Sequence, residues 1–114
     1  MKNTIKIFAL LILFSFNSNA QNNYQIKKAT SFSEHAAAQL DLSDEDQKFI
    51  YDTYIAKFMN DRENIFGKDL SKDEKKAIYK ASSKKLRQSM KVRFDQPTTT
   101  AIMKAVLELQ KKNQ

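Results

Sequence analysis

Glycine occurs once and proline once in these 114 residues, and that scarcity narrows the fold further than any other feature. A β-protein of this length needs many turns, and turns draw on glycine for positive φ and on proline for fixed φ. Helices joined by few connections do not. Gly67 and Pro97 therefore read as punctuation between helices, in an all-α chain.

The first twenty residues have a different character. Met1 to Lys6 carries two lysines and no acid. Ile7 to Phe16 is a run of ten with one polar member, Ser15. Ser18 and Ala20 then place small residues where a signal peptidase reads them, so cleavage is expected between Ala20 and Gln21. The apolar run falls short of the roughly 20 residues that span a bilayer. The protein is thus expected to be exported, to the periplasm or the extracellular space. Removing 20 of the 114 residues leaves 94, a single domain, and the loss of Lys2 and Lys6 takes the net charge from +7 to +5. No cysteine is present, so stability must come from helix packing or oligomerisation rather than disulfides.

The remaining chain divides by its capping signals. Residues 21–30 are polar and aperiodic and read as a flexible lead-in to a helical domain over 31–114. A short helix is expected from Phe32 to Leu40, favoured by Ala36, Ala37 and Ala38. Ser43 before Asp44, Glu45 and Asp46 marks the next start, with acids where the helix dipole is positive. Apolar residues then recur with a helical period from Phe49 to Phe66, and Gly67 ends the run. Ser71 and Glu74 form a capping box that opens a helix through Ile78, Leu86, Met90 and Phe94. Asp95, Gln96 and Pro97 stop it, and Thr98 or Thr99 opens a last helix with Ile102, Met103, Val106 and Leu107. The expected architecture is an antiparallel hairpin of two long helices, about 44–66 and 72–94, with a short helix before and after. The acidic start of the first would lie beside Lys91 and Arg93 of the second; the alternative is that the two helices open apart and pair with another chain. The segment from Asp41 to Tyr51 matches Asp69 to Tyr79 at six of eleven positions, 28 residues on. A duplicated helical unit and a shared capping grammar both account for it.

Two features carry candidate binding chemistry. Lys76, Lys80, Lys84, Arg87 and Lys91 recur at steps of three or four and line one helical stripe. Such a stripe is either a solvated face or a surface for an anionic partner. Tyr51, Tyr54 and Phe58 belong to an aromatic helix, either as core or as an apolar surface for unfolded or extended chains.

Catalysis has few candidate groups. His35 is the sole histidine, no cysteine can act as nucleophile, and no glycine-rich loop can cradle phosphate. No pattern of metal ligands appears. The expectation is a non-catalytic protein with no cofactor, no metal and no small-molecule substrate.

The signal peptide, followed by Leu40-x-Leu42-Ser43-x-x-Asp46-Gln47 at the head of a long charged helix, resembles the Spy/CpxP-like periplasmic proteins. Their hallmark is Leu-Thr-x-x-Gln at a helix start, with Ser43 here at the threonine position and Asp46 at the glutamine. The resemblance implies a helical hairpin, dimerised into a thin cradle, and ATP-independent chaperone or envelope-stress work. Two other roles stay open at this stage. One is binding of membrane head groups or nucleic acid through the basic helix. The other is specific inhibition of one partner protein.

Overall fold

The computed structural model describes the backbone of residues 20–113 and the side chains of 23–113. The signal peptide expected over 1–20 lies outside the described residues, apart from Ala20. Four helices make up the rest: α1 (Ala20–Leu40), α2 (Asp44–Ile65), α3 (Lys72–Arg93) and α4 (Gln96–Lys112). No strand occurs among the described residues.

Local chemistry sets most boundaries. The Ser43 hydroxyl accepts from Asp46 N–H at 3.0 Å, and three acids occupy the first turn of α2. Gly67 takes φ +75° just past the end of α2, a conformation that costs glycine nothing. At α3 the capping box is complete. Glu74 N–H donates to the Ser71 hydroxyl at 3.1 Å, and Ser71 N–H donates to Glu74 Oε1 at 2.7 Å. These bonds hold the Glu74 carboxyl below its ordinary value.

Two boundaries differ from the sequence expectation. The polar lead-in and the short helix are one helix of 21 residues, α1. Its buried positions are Ala29, Phe32, Ser33, Ala36 and Ala37, at a helical spacing, and three of the five are alanines. Alanine adds little apolar signal, so the period does not show in the sequence. At the other end Asp95, not Thr98 or Thr99, caps α4, accepting from Thr98 N–H at 2.8 Å. Pro97 sits in the first turn of α4, where its missing N–H costs nothing.

The two flanking helices are therefore not short additions. They run to 21 and 17 residues, against 22 for each of α2 and α3. Each helix packs on its neighbours in a ring: α1 on α2, α2 on α3, α3 on α4 and α4 on α1. Neither diagonal pair approaches closely, and α3 against α4 is the slightest of the four contacts.

The core joins all four helices through Ala29, Phe32, Ile50, Tyr54, Leu86, Met90, Phe94, Ile102 and Val106. Phe32 meets Tyr54 edge-to-face at 5.4 Å between ring centres, and Phe49 meets Phe94 likewise at 5.8 Å. The start of α2 lies against the end of α3, as the charges anticipate. Arg93 Nε donates to Asp46 Oδ1 at 2.6 Å.

A candidate anion-binding groove between α3 and α4

Helix α3 buries only Ser82, Leu86 and Met90, one stripe at i, i+4 and i+8. No residue between Lys72 and Ala81 is buried. The first half of α3 therefore presents most of its circumference to solvent. Since α4 leans chiefly on α1, α3 and α4 leave a groove of about 590 Å³ between them.

Ala77, Ala81 and Ser83 of α3 and Met103 of α4 line this groove, together with Lys80, Lys84 and Arg87. Ala77 and Ala81 stand one turn apart, as do Lys80 and Lys84, because residues at i and i+4 share a helical face. Leu107, one turn beyond Met103 on α4, is 56% exposed. The result is a shallow, open depression in which exposed alanines stand beside a cationic rim.

Three cations are held by acids. Lys48 pairs with Asp52 at 2.9 Å, Lys57 with Asp61 at 2.6 Å and Arg93 with Asp46. Lys80, Lys84 and Arg87 form no ion pair among the described residues. Three like charges on one face repel one another, and an incoming anion relieves that repulsion.

Five of the anticipated binding residues belong to this helix. Lys80, Lys84 and Arg87 come together on the groove. Lys76 and Lys91 are exposed on α3 but do not line it. The aromatic candidates lie elsewhere. Tyr54 is 4% exposed and packs with Phe32 and Phe58 in the core. Burial pushes its phenol well above the ordinary value of 10.0. Phe58 is half-buried, with Lys28 Nζ 4.9 Å from its ring centre. Tyr51 lines a small separate pocket with Thr30, Ser33, Asp44, Gln47 and Lys48.

Sequence reasoning did not single out this lining. Ala81 reads from the sequence as part of the apolar run of α3, although the structure leaves it exposed, and Met103 arrives from another helix. The one available signal was a pair of alanines four apart, interleaved with lysines.

His35 is half-buried on α1. Among the described residues, no group of three or more His, Asp or Glu is placed to hold a metal ion. None of the described helices is long and apolar enough to cross a membrane. No protein-family model matches the chain, and no curated protein or solved structure matches it significantly.

Proposed function

We propose that this chain is an exported, non-catalytic binding protein that takes an anionic partner along α3. One observation carries the proposal. Lys80, Lys84 and Arg87 line a single open groove at helical spacing and form no ion pair among the described residues. Export is proposed from the charged, apolar and small-residue sequence of residues 1–20. In this reading α2 and α3 act as the antiparallel hairpin that supports the basic face, and the Arg93–Asp46 pair favours that arrangement.

The test is retention of the purified protein on immobilised polyanion and on vesicles containing phosphatidylglycerol. Retention that weakens steeply with salt is the expected outcome. Passage through both supports at low salt rejects the role.

A second role, holding unfolded polypeptides in the manner of the Spy/CpxP-like proteins, draws on apolar side chains displayed on α3 and α4. Tyr79 is 48% exposed, Val92 84% and Leu107 56%. Suppressed light scattering of an aggregating client without ATP is its signature. Unchanged scattering at several-fold molar excess rejects it.

A further inference from the structure

We infer that the exported chain begins with a pyroglutamyl residue: once the chain is cut after Ala20, the α-amine of Gln21 closes on the side-chain amide of the same residue. The inference rests on the export proposed above and adds a modification site to it.

The fold makes the new terminus a helix start. Residues 20–40 form α1, so a cut after Ala20 leaves the Gln21 amine at the positive end of that helix. Helices α2, α3 and α4 are opened by the side chains of Ser43, Ser71 and Asp95. Helix α1 has no acid in its first turn. Lys27 and Lys28 come next, and its one acid, Glu34, lies beyond them. A protonated amine is poorly placed there, which favours the neutral amine, the form that acts as nucleophile. Access is open as well. No residue from Asn23 to Lys28 is buried, and Tyr24 is 63% exposed. Ala29, about two turns on, is the first residue of α1 to join the core, so the reaction leaves the packing untouched.

Ring closure needs no oxidant, cofactor or second substrate. The amine nitrogen attacks Cδ of Gln21 and the N–Cδ bond forms. The Cδ–Nε2 bond breaks, and Nε2 leaves as ammonia with a proton from the amine. The product is a five-membered lactam without charge. Asparagine has one methylene fewer and would give a strained four-membered ring. A chain starting at Asn22 or Asn23 would therefore stay open, which ties the chemistry to the bond after Ala20.

The lactam takes a positive charge away from the helix start, where it opposes the dipole. It also takes away the free amine that aminopeptidases require. Helix α1 carries Ala29, Phe32 and Ala36 into the core, and the chain has no disulfide to hold it together if that helix is trimmed.

The test is intact mass and stepwise N-terminal degradation of the protein recovered from the envelope and medium of its native host. The expected mass is that of residues 21–114 less one ammonia. Degradation should be blocked until pyroglutamyl aminopeptidase removes one residue, and should then read Asn22, Asn23 and Tyr24. Gln21→Ala, cut at the same bond, should be readable at once and should lose residues to a general aminopeptidase that leaves the wild type intact. A chain of residues 21–114 at full mass with a readable Gln21 overturns ring closure and leaves the export reading standing. A chain that keeps residues 1–20, or is cut at another bond, overturns the cleavage and the ring with it. Equal trimming of wild type and Gln21→Ala overturns the protection.

Discussion

Arg93 Nε donates a 2.6 Å hydrogen bond to Asp46 Oδ1, tying the last turn of α3 to the first turn of α2 across 47 residues of sequence. The Asp46 carboxyl is thereby placed between two partners. Partial burial pushes its pKa up, but hydrogen bonds from Arg93 and Ser43 outweigh that and hold it below the ordinary 3.8. The pair also places the Arg93 guanidinium 5.7 Å from the Phe49 ring centre, so charge and packing meet at one end of the bundle.

Asp46→Asn should lower stability by about 0.5–1 kcal/mol at neutral pH, the scale of a partly exposed ion pair. A group with a depressed folded pKa stabilises above its unfolded value and loses that contribution as pH falls through the folded one. The gap between wild type and variant should therefore be full well above pH 3.8 and should close as pH falls below it. Urea titrations across that range measure it.

Tyr54 gives the opposite sign. Its phenol is buried and its pKa raised, so the folded chain keeps the proton when the unfolded chain has lost it. Stability is intact below pH 10 and falls as pH rises beyond it. Tyr54→Phe should remove that part of the alkaline loss, as read by thermal melts between pH 9 and 11.

Ile50 and Ile102 are fully buried at the meeting of the helices. Ile50→Ala should cost about 2–5 kcal/mol, by lost burial and a cavity. For a chain of this size, without disulfides, that is most of the available stability. Loss of the cooperative transition in circular dichroism is the expected result.

Asp41 adopts φ +53° where α1 ends, and Leu42 N–H reaches back to Ala37 carbonyl at 2.9 Å. Glycine is the usual residue for this helix-ending turn. Asp41→Gly should raise the melting temperature, with a gain of about 0.5–1 kcal/mol from relief of the left-handed backbone. A lower melting temperature would contradict the geometry.

Much of the helical framework is legible in the sequence because it depends on groups close in the chain. Ser43, Ser71 and Glu74 act on N–H groups within the same turn, and Gly67 acts through its own φ. Helix α1 is not legible at its true length, since Ala29, Ala36 and Ala37 become core only when α2 and α4 cover them. Asp95 is hidden as a cap because proline follows so closely, although proline is welcome in a first turn. The cationic stripe could be read from spacing alone. Its groove could not, because the lining includes Met103 from α4, and a helical period does not say which neighbour a face will meet. The aromatic residues were ambiguous for the same reason. Packing against Phe32 puts Tyr54 in the core and Phe58 at its edge, while Tyr51 lines a separate pocket.

The decisive measurement compares two triple charge reversals that change net charge equally. One, K80E/K84E/R87E, alters the rim of the groove. The other, K27E/K68E/K112E, alters exposed lysines on α1, the α2–α3 connection and the end of α4. Polyanion retention should be lost with the first and largely kept with the second. Equal loss from both would mean that diffuse positive charge does the binding, and the groove would have no special part in it.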